Sequence, residues 1–322
     1  MNQRHKKIVS VLLRACVAAV LMFAVFRRVG FRTALSVLGG VQMGYILAAL
    51  VFYFLMYLVK SLRWRFLLIS QGMPVGLWRG LSIYLFSSLF GAFTPGRIGE
   101  AIRVLGPARE KGLYAESTAC AAVDKAFDIA LLVVLLASAS ACSLLSRYES
   151  LVLLAGGLAG MGALAGALLL VRYLGAGNVA LPGCLLRLLP KAWHEPLHEQ
   201  PGRLLRAVVD CVRRVWVVGG LCTGTFWLLH VVCHLLILKS LGGSMDFGYL
   251  VLCLVLSSIV EFLPVTICGL GTREYLLIYL FGRVRLPEAL AVAFGLMNLV
   301  FTYAVTAAFV LMAWCLRDGK QG

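Results

Sequence analysis

The chain is poor in charged residues, and above all in acidic ones. Only 14% of its 322 residues are charged, with 14 Asp and Glu against 30 Lys and Arg, and 61% are hydrophobic. A soluble domain of this length needs more polar surface, so this composition argues against one. Several apolar windows approach the roughly 20 residues that span a bilayer, and the mean hydropathy is +0.93. The sequence therefore predicts an all-α polytopic membrane protein, with the clearest apolar windows at 9–26, 41–59, 126–145, 151–171, 215–238 and 287–315.

The sequence also lacks the motifs of several enzyme classes. Its ten cysteines are scattered and form no C-x-x-C pair, which disfavours a disulfide framework or a zinc site. It contains no P-loop, dinucleotide fingerprint or nucleophile elbow. His230 and His234 are four residues apart, a spacing that can bind metal, but no third ligand is obvious, so we interpret them as ordinary buried histidines. We predict no enzyme activity, no cofactor and no metal site.

The net charge of +16 lies mostly at the ends of apolar segments. This distribution favours topology signals and contact with anionic lipid, and we predict no nucleic acid partner. We expect the basic N-terminus, the 60–79 loop, the 173–214 loop and the C-terminal tail to be cytoplasmic. The polar stretch 173–212 is either a cytoplasmic interfacial segment or an ordinary connecting loop. Five arginines disagree with this topology, because it places them outside the cytoplasm: Arg27, Arg28, Arg32, Arg283 and Arg285.

Two segments repeat one unusual pattern of paired serines, a proline, glycines, an arginine and a glutamate. They read SSLFGAFTPGRIGEAIR at 87–103 and SSIVEFLPVTICGLGTRE at 257–274. Proline and glycine break helices, and broken backbone at membrane depth is tolerated only inside protein or beside a wet cavity. Such breaks at corresponding positions of two halves indicate a transporter's binding site. Within one transmembrane domain, 1–322, we predict about six full spans and an inverted repeat of two re-entrant hairpins, 80–104 and 250–282; about eight full spans is the alternative.

The first motif offers groups that suit an anionic ligand. Arg97 and Arg103 have the planar fork that binds phosphate or carboxylate. Gly96 and Gly99 permit close approach of the backbone, and we expect a new helix to begin near Ile98. Glu100 either pairs with one of the arginines or carries a proton. An interfacial turn held by a salt bridge is the purely structural alternative.

The second motif repeats this logic. Gly269 and Gly271 are expected to make the turn, and Arg273 and Glu274 to open the next helix. Glu261 lies just before the break in apolar surroundings, where a carboxylate needs a partner, and Arg273 is the natural one. The alternative is an Arg–Glu pair that only fixes the hairpin.

A third cluster, Asp124 and Asp128, is predicted at the head of an apolar helix. The two residues are four apart, so they share one helix face. That face could meet Arg97 or Arg103. Alternatively, the two carboxylates form an acidic first turn that favours the helix dipole.

These residues carry a resemblance to a known family. TPGRIGEAIR, VDKAFDIALL and LPVTICGLGTRE, in this order, resemble the lysylphosphatidylglycerol synthase transmembrane, flippase-like family over about 10–315. Two departures are Lys125, where the family often has arginine, and 265–268, where it often has a glycine-rich run. No aminoacyl-transferase domain is recognised, so lipid aminoacylation is not expected. The resemblance implies these motif positions: Pro95, Gly96, Gly99, Glu100, Arg103, Asp128, Gly269, Gly271, Arg273 and Glu274.

We therefore expect a lipid transporter of the cytoplasmic (inner) membrane. It would move an anionic or polyprenyl-phosphate-linked lipid through a polar cavity between the hairpins, with Arg97, Arg103 and Arg273 on the phosphate. The five carboxylates of the motifs would couple protons or form ion pairs. The alternative is an accessory membrane subunit, or an acceptor-presenting enzyme, of phospholipid or glycolipid synthesis. The expected partners are a membrane lipid and, in the alternative, a lipid-synthesis enzyme.

Overall fold

The described part of the chain is built of helices. The computed structural model describes residues 3–139, 150–151, 153–162, 166, 201–262, 266 and 269–318, and these residues contain no β-strand. The predicted all-α polytopic class is confirmed. The α-helices are α1 Gln3–Val29, α2 Phe31–Gly39, α3 Met43–Ser70, α4 Leu77–Ala92, α5 Leu105–Lys111, α6 Tyr114–Ala139, α7 Leu153–Gly162, α8 Pro201–Ser240, α9 Phe247–Phe262, α10 Thr272–Arg283, α11 Glu288–Val300 and α12 Thr306–Asp318.

Three helical stretches of the described residues are long and apolar enough to cross a bilayer. They are Met43–Ser70, Gly202–Ser240 and Glu288–Cys315, the last being α11 and α12 joined by a π-helical turn, Phe301–Val305. They contain most of the windows predicted at 41–59, 215–238 and 287–315. Parts of the predicted 126–145 and 151–171 windows, and residues 173–200 of the predicted interfacial segment, lie outside the described residues.

The α3–α4 and α8–α9 pairs are two copies of one unit. Ser70 ends α3 and Ser240 ends α8, and each hydroxyl donates a 2.7 Å hydrogen bond to a carbonyl in its own last turn. Gly72 and Gly242 follow with φ of 73° and 77°, a left-handed turn that glycine adopts without steric penalty. The interval in residue number from Ser70 to Ser240 equals the interval from Gly72 to Gly242, so the two copies are in register.

The two copies are inverted relative to each other, because α3 and α8 pack antiparallel along their length. At one end, the backbone N–H of Gln42 donates to the carbonyl of Ser240 at 2.9 Å. At the other, the Arg214 guanidinium donates to the carbonyl of Ser70 at 3.0 Å. The end of α8 thus meets the beginning of α3, and the end of α3 meets α8 at Arg214, inside that longer helix. This antiparallel contact relates the copies by an approximate two-fold axis across both helices. If α3 and α8 span the membrane, that axis lies in its plane, as an inverted repeat requires.

The first unit ends in an antiparallel hairpin. Arg79, near the beginning of α4, forms an ion pair with Glu110, near the end of α5, and the Lys111 ammonium donates to the carbonyl of Gly72 at 2.7 Å. The chain therefore returns to the side from which it came. The new helix expected near Ile98 begins at Pro95 as a 3₁₀ helix over Pro95–Val104, and an α-helix follows from Leu105.

The second hairpin has the same form. The Tyr249 hydroxyl donates to the carbonyl of Leu280 at 2.8 Å near its base, and Arg273 lies 3.1 Å from Glu261 near its tip. The helix expected to open at Arg273 and Glu274 is confirmed as α10. In both hairpins the arms on the two sides of the break are thus antiparallel, and their re-entrant placement in a membrane stays a prediction.

Candidate functional site

A polar cavity of about 120 Å³ lies where the two hairpin tips approach α3 and α8. The residues of α3 and α8 that line it, 53–60 and 226–234, lie near the middle of the antiparallel pair. If these helices span a bilayer, the cavity is therefore near mid-depth. Its charged and polar lining consists of Tyr53, Tyr57, Lys60, Tyr84, Ser88, Arg97, Glu100, Lys125, Asp128, Trp227, His230, His234, Ser257, Ser258, Glu261, Arg273, Asn298 and Thr302.

Arg97 connects the two hairpins. Its guanidinium lies 3.8 Å from the carboxylate of Glu100 in its own hairpin and 3.9 Å from that of Glu261 in the other. The backbone at Arg97 has φ of 56°, in the left-handed region that residues other than glycine rarely adopt. Such conformations persist where the surrounding structure holds them, and they concentrate at functional sites. The fold thus holds an arginine at the junction of both tips.

Glu100 and the glycines of the first tip are held closely against α4 and α6. The Glu100 carboxylate forms an ion pair with the Lys125 ammonium at 2.8 Å, and both residues line the cavity. A Cβ on Gly99 would lie 2.7 Å from Thr94 Oγ1 and 2.9 Å from the Phe90 carbonyl oxygen. Gly99 is therefore required for close approach of the backbone, as its place in the motif predicted. Gly96 lies in the same 3₁₀ helix.

Asp124 and Asp128 meet α3, in a network that the sequence did not reveal. The Arg63 guanidinium lies 2.7 Å from Asp124 and 2.8 Å from Asp128, and the Lys60 ammonium 2.9 Å from Asp128. Both aspartates face the same way, as predicted. The alternative of an acidic first turn is wrong, because α6 begins at Tyr114 and both lie well inside it.

Arg103 lies outside the lining of the cavity. Its guanidinium pairs with Asp124 at 2.8 Å and lies over the ring of Tyr84, 4.8 Å from the ring centroid. The side chain is 3% exposed. The Tyr84 hydroxyl also donates to Asp124, at 3.1 Å. The structure therefore brings Arg103 together with Asp124, one of the contacts that the sequence predicted for this helix face, and places it beside the cavity.

Arg273 holds the second tip together. Its guanidinium pairs with Glu274 at 2.7 Å and with Glu261 at 3.1 Å, so the predicted partner of Glu261 is confirmed. Glu274 also accepts a 2.7 Å hydrogen bond from the N–H of Gly271, which caps α10. Gly269 and Gly271 have φ of 70° and 83°, so the predicted turn there is also confirmed.

Neutral polar groups from α8 and α9 form another part of the lining. His230 and His234 both line the cavity, and His234 Nδ1 lies 2.7 Å from the carbonyl oxygen of His230. Trp227 and Ser257 lie beside them. Within the described residues, no three His, Cys, Asp or Glu side chains are placed to hold a metal ion. The spacing of Trp227, His230 and His234 on α8, at i, i+3 and i+7, was the available signal for this face, but the same spacing is typical of an ordinary core.

The charged residues form two adjacent clusters of ion pairs, together called the ion-pair network, with one more cation than carboxylate. In the first cluster, Lys60, Arg63 and Arg103 pair with Asp124 and Asp128, and this cluster holds the extra cation. In the second cluster, which joins the two hairpins, Arg97, Lys125 and Arg273 pair with Glu100, Glu261 and Glu274. The network can therefore neutralise one added negative charge.

Comparison with known proteins agrees with the motifs that build this site. The family model described as the lysylphosphatidylglycerol synthase TM region matches residues 11–309, which include both hairpins, α3, α6 and α8. A comparison with curated proteins finds no match. Because the family match extends over nearly the whole sequence, the chain belongs to the lysylphosphatidylglycerol synthase transmembrane family, a multi-pass membrane domain of lipid-related processes.

Proposed function

We propose that this protein transports an anionic lipid across the cytoplasmic membrane. The observation that carries the proposal is the charged cavity midway along two antiparallel apolar helices, between the tips of two inverted hairpins. A cavity of this kind gives a headgroup a polar route while the acyl or prenyl chains stay in the bilayer. The family supports a lipid-related role.

The cost of the buried charges supports a functional role for them. Placing one Lys, Arg or Asp at the centre of a bilayer costs about 2.5–3.5 kcal/mol on insertion scales. This chain keeps a whole network of such residues, and the network has one cation in excess. A lipid phosphate would complete the charge balance, and arginine binds phosphate through paired N–H donors. We assign this contact to Arg97 and Lys60, which line the cavity.

The inverted repeat suggests how the cavity would open to each side in turn. In transporters built this way, one repeat rocks against the other about a fixed central site. The contact between Arg97 and Glu261 joins the two hairpins, so it would loosen and re-form during each cycle. A headgroup phosphate that competes with Glu261 for Arg97 would couple binding to this movement.

A proteoliposome assay tests the proposal. Purified protein is reconstituted with a fluorescent phosphatidylglycerol or a fluorescent polyprenyl-phosphate lipid, and transfer between leaflets is followed by chemical quenching of the outer leaflet. We expect faster transfer than in empty liposomes, and no acceleration of a phosphatidylcholine probe. Absence of acceleration for both anionic probes would refute transport.

The second candidate is an accessory or acceptor-presenting role in lipid synthesis. It is favoured by the family description, which names a synthase region. Incubating the purified protein with lipid and a headgroup donor discriminates the two, because a new lipid product would appear only if the chain carries or completes an enzyme. We propose that this chain transports lipid without chemistry of its own, and expect no product.

We further propose that both termini are cytoplasmic. The basic N-terminus and the basic C-terminal tail, with Arg317 and Lys320, support this orientation. A reporter enzyme that is active only outside the cytoplasm, fused to the C-terminus, is expected to be inactive. An active fusion would reverse the orientation.

A further inference from the structure

We infer that the cavity recognises a hydroxyl-bearing phosphodiester headgroup through three neutral side chains, Trp227, His230 and Ser257. This inference rests on the proposed function, since it concerns the same cavity. Charged groups from the first hairpin, α3 and α6 would hold the phosphate. The neutral groups of α8 and α9 would bind the hydroxyls esterified beyond it.

Each of the three neutral side chains has a buried polar atom that lacks a hydrogen-bond partner within the described part of the chain. Trp227 and Ser257 are each 7% exposed, and both line the cavity. The buried atoms Trp227 Nε1, Ser257 Oγ and His230 Nδ1 have no hydrogen-bond partner among the described residues. Native proteins rarely leave such groups unsatisfied. Because these three residues line one cavity, a single ligand with hydroxyl groups would satisfy all three in place of water.

The charge of the network selects the phosphate. One surplus cation matches a phosphodiester, which carries a single negative charge. A phosphomonoester carries about 1.5 to 2 negative charges near pH 7, so it would leave the cavity with surplus negative charge. Choline is disfavoured on two grounds. It brings a positive charge without N–H or O–H groups, and the Lys60 ammonium already lies 4.0 Å from the centroid of the Phe226 ring, a surface that would otherwise attract it.

The size of the cavity restricts the ligand to a headgroup. Sites for drug-sized molecules measure roughly 300–1,000 Å³, whereas this cavity measures about 120 Å³. Two lipid types share the required chemistry: a phosphatidylglycerol, with two hydroxyls on its terminal glycerol, and a hexose joined to a polyprenyl chain through a phosphodiester.

Binding of defined lipids to the purified full-length protein tests the inference. Native mass spectrometry would compare four probes: phosphatidylglycerol, a hexosyl polyprenyl phosphate, phosphatidylpropanol, which lacks the terminal hydroxyls, and phosphatidic acid. At least one of the first two is expected to bind about 10-fold more tightly than the last two. Which of them binds more tightly identifies the lipid source.

Matched variants compare polar side chains that line the cavity with similar buried side chains that do not line it. Trp227→Phe and Ser257→Ala each remove one hydrogen-bonding group, and should weaken binding of the hydroxylated lipid about 3- to 10-fold while leaving phosphatidylpropanol unchanged. Trp64→Phe and Ser61→Ala are the controls. Both residues are buried, and Trp64 Nε1 and Ser61 Oγ also have no partner among the described residues, yet neither residue lines the cavity. The controls should bind all probes as the unaltered protein does.

The outcomes distinguish this inference from the proposed function. Equal binding of phosphatidylglycerol, the hexosyl lipid and phosphatidylpropanol overturns the inference. An equal loss of binding for all four lipids in Trp227→Phe and Ser257→Ala also overturns the inference. If binding discriminates as expected but liposomes show no transfer, the recognition stands and transport fails. If transfer occurs without discrimination, transport stands and the recognition fails.

Discussion

Replacing Arg97 by glycine should slow transport strongly while leaving the fold almost as stable as before. Two effects on stability oppose each other. Glycine relieves the left-handed backbone at φ 56°, which is worth about 1–2 kcal/mol for an ordinary residue. The change also removes ion-pair contacts of 3.8 and 3.9 Å from a side chain that is 23% exposed, and such partly exposed pairs contribute about 0.2–1 kcal/mol each.

These opposing effects predict a net change in unfolding free energy within about 1 kcal/mol, which corresponds to roughly 2–4 °C in Tm. Transport should respond differently. A hydrogen bond to a charged group contributes about 1.5–3 kcal/mol, so loss of a contact between Arg97 and a lipid phosphate predicts a fall of about 10- to 100-fold in transfer rate. Arg97→Lys should restore part of this rate, because lysine keeps the charge but lacks the paired donors.

Arg285→Gly is the matched control. Arg285 is the other residue of the described chain, glycines aside, with a positive φ, 58°, and it lies at an exposed turn before α11. Its replacement should relieve backbone strain in the same way, raise Tm slightly and leave transfer unchanged. Tm is measured on detergent-solubilised protein and transfer in liposomes. Transfer at the unaltered rate in Arg97→Gly would refute the headgroup contact, and a loss of more than 10 °C in Tm would show that Arg97 acts mainly in folding.

Three further predictions address other parts of the site. Gly99→Ala should destabilise the protein by about 1–3 kcal/mol, because its Cβ would meet Thr94 Oγ1 at 2.7 Å; Gly44→Ala, in open space at the beginning of α3, should not, and equal thermal stability of the two variants would contradict the tight packing. Asp124→Asn should lower the unfolding free energy by about 3–5 kcal/mol, because it removes the charge that two buried arginines share; a Tm near that of the unaltered protein would argue against this. Glu100→Gln should abolish transport driven by a pH gradient and keep lipid binding, and loss of both would indicate a structural role.

Several features could be predicted from sequence because their causes are local. A proline followed closely by glycines disfavours the continuation of a helix, so both hairpin turns were visible in the two repeated motifs. Neighbouring residues such as Arg273 and Glu274 open a helix together, and residues four apart such as Asp124 and Asp128 share a face. Apolar length likewise predicted the stretches that include α3 and α8.

Other features depended on contacts between distant parts of the chain. Lys60 and Arg63 follow the apolar window 41–59, so in sequence they resemble charges at a membrane surface. In the structure α3 continues to Ser70, and these cations lie inside the helix against aspartates of α6. No local rule predicts a pair between residues as far apart in sequence as Arg63 and Asp124.

The sequence by itself determined that this is an all-α membrane protein of a lipid-related family with two interrupted helices, because composition, steric limits and helical period act over a few residues. Tertiary structure alone decided which charges meet in one network, that Arg103 supports Asp124 beside the cavity, and that Trp227 and Ser257 line it. Those outcomes depend on how α3, α6, α8 and the hairpins pack. The rotation of each helix about its own axis determines which side chains face the cavity, and that rotation is fixed by contacts with the other helices.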